Sequence, residues 1–299
     1  MFKWLNMVVL LLCLQGALKA YDSQKNLSWV QNWGYWLQNI DIDTIVSSPY
    51  DLVVIDYSSD GTESGRFESA DIDRIHQSGK LALVYLSIGE AENYRFYWQK
   101  HWRVGKPAFI GAENPDWPGN YKVKFWYKKW WQKVLKPYLD RIIDAGFDGV
   151  YLDIIDAYWY WGEHGYDLRS MANKMVKLVD KISDYGMQHT TDGFIVTAQN
   201  GVGILEDASR KMEARYLDTI DAVGVESLFF NRYSEDDYRY RMSMLRRFDQ
   251  AGKKIFNVEY IPESQYDAYW ESLDNSEIPI VGYAATPDAA LDSLTHFDW

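Results

Sequence analysis

The chain has 299 residues, 47% of them hydrophobic, which suits one large domain with a sizeable core. Its formal net charge is −12, and so acidic a protein disfavours nucleic acid as a partner while it permits a cationic substrate. Aromatic residues make up 16% of the chain, more than a core requires. Because sugar rings stack their apolar faces on Trp and Tyr, this surplus favours a carbohydrate-binding function, with aromatic-rich core packing as the alternative.

The first 20 residues have the pattern of a secretory signal peptide, with cleavage near Ala20. Lys3 precedes an almost wholly apolar stretch, residues 5–14, which is too short to span a membrane comfortably. We therefore expect a secreted or periplasmic protein with no stable membrane insertion after cleavage, and an uncleaved anchor is the alternative. The only cysteine, Cys13, lies inside this segment, and its lipidation stays an open question. The mature chain, residues 21–299, is expected to fold without disulfides and to be a monomer.

Short apolar runs bounded by turn or polar residues follow one another along the mature chain and are predicted to be buried strands. There are eight of them, at residues 33–36, 52–55, 81–86, 150–152, 194–198, 222–225, 255–258 and 279–283. Helical patterns separate several of them, including those at 71–79, 168–185 and 238–252. Eight strands alternating with helices predict a single-domain α/β protein, a (β/α)8 TIM barrel. A doubly wound open sheet is the alternative, although no Gly-x-Gly-x-x-Gly motif follows the first strand.

Two connecting segments depart from this regular pattern. Residues 91–120, after the third strand, are rich in Trp, Tyr and Pro and are too long for an ordinary connection, so we predict a functional loop insertion or lid. Residues 121–143 are predicted to be helical, and their basic and aromatic residues are interpreted as a solvated helix face with inward aromatics. Pro137 predicts a kink or the start of a second helix.

Polar or acidic residues stand at nearly every predicted strand end, and in a barrel these ends converge on one mouth. The positions are Tyr35, Trp36, Asp56, Glu90, Asp153, Asp156, Gln199, Asn200, Glu226, Glu259 and Tyr260. No histidine ends a strand, so we expect no transition-metal site and no cofactor. An oxygen-only site for magnesium or calcium is the alternative.

Two carboxylates across a cleft are what glycoside hydrolysis requires, because one protonates the leaving oxygen and the other attacks the anomeric carbon or activates water. Asp153 and Glu226, on the fourth and sixth strands, are the predicted catalytic pair. Crowding of carboxylates raises the pKa of at least one of them, which supplies the acid. The other strand-end residues are predicted to bind substrate hydroxyls or a positively charged amino sugar, with Asp156 and residues 158–161 as a sugar-binding rim. The alternatives for Asp153 are a helix cap and a residue that only binds hydroxyls.

Several motifs together resemble glycoside hydrolase family 114, over about residues 33–283. They are residues 85–95, 146–153, 199–201, 225–227 and 258–260. The resemblance implies a (β/α)8 barrel and endo-α-1,4-polygalactosaminidase activity. A retaining mechanism is predicted, with inversion as the alternative. The resemblance also implies Asp153 as nucleophile, Glu226 as acid/base and Tyr85 among the substrate-binding residues. A substrate rich in free galactosamine is cationic, so the acidic residues at the mouth would attract it electrostatically.

The sequence therefore predicts an exported hydrolase of an α-linked, amino-sugar-containing polysaccharide. One alternative is a non-catalytic carbohydrate-binding barrel, which would bind glycans without releasing reducing ends. Another is a metal-dependent polysaccharide deacetylase or phosphodiesterase, which a chelator would inhibit.

Overall fold

The computed structural model describes residues 26–297, and the predicted signal peptide lies outside them. Eight parallel strands form one sheet in which neighbours in the chain are hydrogen-bonded neighbours in space. They are β1 (Trp33–Trp36), β2 (Leu52–Ile55), β3 (Leu81–Ser87), β4 (Gly149–Asp153), β5 (Ile195–Gln199), β6 (Ala222–Glu226), β7 (Lys254–Tyr260) and β8 (Val281–Ala285). The sheet curls until its two edges meet, and the Trp33 indole N–H of β1 donates to the Val281 carbonyl of β8 at 3.0 Å. The predicted (β/α)8 barrel is confirmed, as a nearly closed single domain.

Helices surround the sheet and connect successive strands. They are α1 (Ile42–Ser47), α2 (Ser69–Gln77), α3 (Lys136–Ala145), α4 (Ala157–Glu163), α5 (Leu168–His189), α6 (Ile204–Asp207), α7 (Arg210–Thr219), α8 (Glu235–Gln250) and α9 (Tyr266–Asp274). Short 3-10 turns lie at Leu27–Trp29 and Glu263–Gln265. In the part of the chain that the structure covers, no helix has the length and apolarity needed to cross a membrane.

The barrel interior is filled by aromatic side chains. Rings of Trp33, Tyr35, Tyr151, Phe256 and Tyr283 pack with centroids 5.1 to 5.9 Å apart. Each of these side chains is almost fully buried. Part of the aromatic surplus in the composition is therefore core, and the barrel is packed below its mouth as TIM barrels are.

The segment after β3 contains regular structure. Strands Glu90–Glu92, Ile110–Glu113 and Asn120–Val123 form a separate antiparallel sheet, which we call the insert sheet. It packs on α4, where the Trp161 indole N–H donates to the Val123 carbonyl at 2.8 Å. The insertion is thus a small folded platform beside the mouth.

The helical prediction for residues 121–143 is wrong at its start. Asn120–Val123 is a strand of the insert sheet, and helix begins only at Lys128–Trp130, which runs through a π-helical segment, Trp131–Leu135, into α3. The strand has only four residues and three of them are partly exposed, so the sequence shows no alternation of apolar and polar residues that would predict a strand. Pro137 lies in the first turn of α3, directly after the π-helical segment, and the backbone stays helical across this boundary, so Pro137 does not begin a separate helix.

Candidate active site

Asp153 lies at the carboxyl end of β4, where its side chain faces the barrel mouth. Its carboxylate accepts hydrogen bonds from the Tyr85 hydroxyl at 2.6 Å and from the Ile154 amide at 2.7 Å. Tyr85 is on β3, in register with Tyr151 of β4, so the two adjacent parallel strands bring donor and acceptor together. Tyr85, which was predicted to bind substrate, therefore lies beside Asp153.

Glu226 ends β6, two strands away from Asp153. Its carboxylate accepts from the Asn200 amide nitrogen at 2.7 Å and from the Tyr260 hydroxyl. The Arg241 guanidinium of α8 donates to the Glu226 carbonyl at 2.7 Å and so holds the end of the strand. The structure thus brings Asn200 and Tyr260, both predicted from the sequence, against one of the two proposed catalytic carboxylates.

The surroundings of Asp153 favour its protonated form. Burial and the negative charge of Glu226 raise the pKa of Asp153 to about 8, against the lowering effect of its two hydrogen-bond donors. Asp153 therefore keeps its proton near neutral pH. A protonated carboxyl with a second carboxyl nearby is the combination that acid-assisted cleavage of a glycosidic bond uses.

The raised pKa of Asp153 predicts a pH-dependent stability effect. Between about pH 4 and pH 8 the folded protein keeps a proton on Asp153 that the unfolded chain releases, so this residue contributes less stability as the pH rises. Asp153→Asn is therefore expected to gain roughly 1–3 kcal/mol in the free energy of unfolding, relative to wild type, between pH 4 and pH 8. Urea denaturation at the two pH values measures it. An equal difference at both pH values would contradict the raised pKa.

The backbone beyond three strand ends adopts left-handed conformations. Ile154 follows Asp153 with φ 59°, Asn200 follows Gln199 with φ 56°, and Ser227 follows Glu226 with φ 48°. A positive φ is a marked strain for a β-branched residue such as isoleucine, and such strain concentrates at functional sites. The turn at Ile154 also aims its amide at the Asp153 carboxylate, which the sequence pattern did not reveal.

A buried polar layer supports the mouth from below. The Tyr35 hydroxyl donates to the Gln199 side-chain oxygen at 3.0 Å, and both residues are almost fully buried. Beneath them the Tyr151 hydroxyl is buried without a hydrogen-bond partner and rests on Gly224, where an added Cβ would lie 1.9 Å from it. Glycine at 224 is thus required by the close approach of Tyr151, a residue that the sequence analysis did not select.

Three of the predicted acids are engaged inside the protein and do not reach open solvent. Asp56 forms a buried ion pair with Arg95, and burial raises its pKa to about 6 despite that guanidinium. Glu90 pairs with Lys122 in the insert sheet and also accepts from Asn114 at 3.0 Å. The Asp56–Arg95 pair therefore joins the barrel to the insertion, whereas the contacts of Glu90 lie within the insertion.

Glu259 is the third of these acids. Its carboxylate accepts from the backbone amides of Leu228, Phe229 and Phe230 at 2.7 to 3.2 Å, which shapes the loop after β6. Burial raises its pKa to about 7, against the lowering effect of those amides. The side chain is fully buried, so Glu259 serves this loop and does not face a substrate.

The predicted aromatic rim is only partly exposed. Tyr158 is buried with its hydroxyl on Asp207 at 2.8 Å, and Trp161 is buried against the insert sheet. Trp159 on α4 has half of its surface exposed. Trp36 on β1 is buried, and because side chains alternate along a strand it lies on the face opposite to Tyr35. Helical spacing sends neighbours in one aromatic run to opposite faces, which explains the split.

Arg95 is the main residue near the site that the sequence analysis passed over. It is 4% exposed and its guanidinium contacts two carboxylates, those of Asp56 and Glu92. The available signal was an arginine close to Glu90 and Glu92 at the start of the aromatic insertion, because a buried acid needs a counter-charge.

The side chains at the mouth are oxygen-rich and contain no histidine or cysteine. Within residues 26–297, no three His, Cys, Asp or Glu side chains are grouped so that they would hold a metal ion. Tyr, Asn, Arg and Lys side chains instead donate to the carboxylates of Asp56, Glu90, Asp153 and Glu226, as the contacts above describe.

An eight-stranded barrel with paired carboxylates at the ends of β4 and β6 has the architecture of a TIM-barrel glycoside hydrolase. The model of glycoside hydrolase family GH114 matches residues 17–285. The chain belongs to this family, which confirms the resemblance found in the sequence motifs.

Relatives with clear sequence similarity cover most of the chain. An uncharacterized protein of Methanocaldococcus jannaschii is 39% identical over 274 residues, which span 88% of this chain and 77% of that protein. An uncharacterized protein of Thermotoga maritima is 38% identical over 276 residues, spanning 88% of this chain and 83% of that protein. These relatives extend the family without adding an activity.

Two solved structures share the fold. The glycoside hydrolase domain of PelA from Pseudomonas aeruginosa superposes with a TM-score of 0.67 at 16% identity, covering 89% of this chain and 98% of that domain. Aspergillus fumigatus Ega3 in complex with galactosamine gives a TM-score of 0.63 at 18% identity, covering 89% of this chain and 94% of the other. At these identities the likeness concerns the fold alone.

Proposed function

We propose that the protein is a secreted or periplasmic glycoside hydrolase that cleaves an α-linked polysaccharide containing amino sugars. Family membership supports hydrolysis of a glycosidic bond. The observation that carries the proposal is the coupled carboxylate pair, Asp153 and Glu226, at the ends of β4 and β6. Export is inferred from residues 1–20, and sequencing of the mature N-terminus, expected at Tyr21, tests it.

In the proposed mechanism, Asp153 attacks the anomeric carbon while Glu226 gives its proton to the departing glycosidic oxygen. The bond between that carbon and oxygen breaks, and a glycosyl ester forms on Asp153. Glu226, now ionised, takes a proton from water, whose oxygen attacks the anomeric carbon and releases Asp153. The anomeric configuration is retained, because it is inverted twice.

This assignment requires the proton that Asp153 holds near neutral pH to pass to Glu226 when the substrate is bound. The hydrogen bonds from Tyr85 and Ile154 then favour the ionised Asp153 carboxylate. A glycosidic oxygen beside Glu226 favours this arrangement, because it accepts the proton that Glu226 carries. The pair thus supplies both an acid and a nucleophile.

A cationic sugar is supported by the charge of the protein. The chain carries a net charge of −12, and an acidic mouth raises the local concentration of a polycation. The galactosamine complex of the structurally similar Ega3 is consistent with this class of substrate. We therefore propose a polymer with free amino groups, of the α-1,4-galactosamine type.

Digestion of defined oligosaccharides tests the proposal. Purified protein is incubated with α-1,4-linked galactosamine oligomers and with their fully N-acetylated forms, in buffer with and without excess chelator. We expect shorter oligomers with new reducing ends from the free-amine substrate, at the same rate with chelator. Binding without new reducing ends would favour the carbohydrate-binding alternative, and loss of activity with chelator would favour a metal-dependent enzyme.

A further inference from the structure

The carboxylate of Asp156, in the turn after β4, accepts no hydrogen bond from another residue in the part of the chain that the structure describes. Asp156 is the N-cap residue of α4, a position where aspartate ordinarily accepts a hydrogen bond from the first helical turn, but its side chain makes no such bond. No other residue between 26 and 297 donates a hydrogen bond to this carboxylate. The side chain is exposed, so it is available to a ligand.

The other acids around the mouth already have partners. Glu90 is matched by Lys122, and Asp56 and Glu92 share Arg95. Glu259 is held by backbone amides. Asp156 is therefore the acid at the mouth whose charge lacks a hydrogen-bonded counter-group.

The position of Asp156 places it within reach of the reacting sugar. It follows Asp153 by three residues, on the turn that leads from β4 into α4. A Cβ added at Gly201 would lie 3.2 Å from the Asp156 amide nitrogen, so this turn packs on the loop whose Asn200 donates to Glu226. On its other side the turn continues into α4, which packs on the insert sheet through Trp161.

The nearby cation, Lys122, acts on Asp156 through its charge but forms its ion pair with Glu90. Its ammonium group bonds to Glu90 and lies 5.2 Å from the centre of the Tyr160 ring. Because Glu90 already balances the charge of Lys122, the negative charge of Asp156 remains available to a cationic substrate.

We propose that Asp156 selects the substrate by accepting hydrogen bonds from a protonated amino group on a sugar next to the bond that is cleaved. The inference rests on the proposed function and deepens it, because it assigns the preference for a free amine to one side chain. An ammonium group on this carboxylate gains a charge-assisted hydrogen bond, whereas an N-acetyl group has no charge and is bulkier. Asp156 then determines which substrate is bound, and Asp153 and Glu226 carry out the bond cleavage.

The test compares wild type with Asp156→Asn on galactosamine oligomers and on galactose oligomers of the same linkage. For the variant we expect kcat/KM on the free amine to fall about 10- to 100-fold, mainly through KM, and kcat/KM on the neutral oligomer to change less than about threefold. Asp156→Glu is expected to restore part of the preference. Asp218→Asn, which removes one exposed charge on α7, is the matched control and is expected to behave as wild type.

The outcomes separate the two proposals. If wild type cleaves neither oligomer, the proposed function fails, and the inference about Asp156 fails with it. If wild type prefers the free amine and Asp156→Asn keeps the same preference, the inference alone is overturned. If Asp156→Asn lowers kcat equally on both substrates, Asp156 acts on the chemistry and not on selection, which also overturns it.

Discussion

Asp153→Asn and Glu226→Gln are each expected to reduce hydrolysis of a galactosamine oligomer by about three orders of magnitude or more. Asparagine cannot form the glycosyl ester, and glutamine cannot donate a proton to the leaving oxygen. Both substitutions keep the shape of the side chain, so the barrel is expected to stay folded. Initial rates of reducing-end release, with circular dichroism as the check on folding, measure the effect.

A leaving group that needs no acid distinguishes the two roles. On an aryl α-galactosaminide with a good leaving group, Glu226→Gln is expected to form the glycosyl ester readily, and azide is expected to accelerate turnover. Asp153→Asn is expected to stay inactive on the same substrate. Full activity of either folded variant on the oligomer would remove that residue from the mechanism, and azide acceleration of Asp153→Asn alone would reverse the roles.

Arg95→Met is expected to destabilise the fold by about 3–5 kcal/mol, because it leaves two buried carboxylates without their counter-charge. Arg95 is almost fully buried and bonds Asp56 of the barrel as well as Glu92 of the insert sheet, so it joins the two parts of the protein. Urea denaturation followed by circular dichroism gives the free energy of unfolding. The loss is expected to be smaller at pH 5 than at pH 7, because protonation of Asp56, whose pKa is raised to about 6, relieves the unpaired charge.

Arg215→Met is the matched control for this prediction. Arg215 also pairs with a carboxylate, Asp180, but it is half-exposed on α7, so its replacement is expected to cost about 1 kcal/mol or less. Equal losses in the two variants would show that burial of the Arg95 ion pair adds nothing to stability.

The barrel was predictable from the sequence because its strands are apolar runs, most of which end on polar residues. Asp153 and Glu226 were identifiable for the same reason, since each closes such a run at a position that a parallel barrel turns toward its mouth. The motifs around them then identified the family. Tyr85, Asn200 and Tyr260 also lie where the strand-end logic and the resemblance place them, in contact with the pair.

The sequence did not show which acids are free. Asp56, Glu90 and Glu259 stand at strand ends like the others, yet Arg95, Lys122 and a loop of backbone amides occupy them. These partners come from segments that are distant in the sequence, so the residues next to each acid do not indicate that it is paired. The insert sheet escaped prediction because its strands are short and pair only with one another.

In the proposed mechanism, Asp153 and Glu226 together cleave an α-linked galactosamine polymer through a glycosyl ester. Rapid quenching of Glu226→Gln with the aryl α-galactosaminide, followed by proteolysis and mass spectrometry, detects this ester. We expect one galactosaminyl group on the peptide that contains Asp153, and none when Asp153 is also replaced by Asn. A sugar on another residue, or a wild-type enzyme that leaves the galactosamine oligomer intact, would rule out this mechanism.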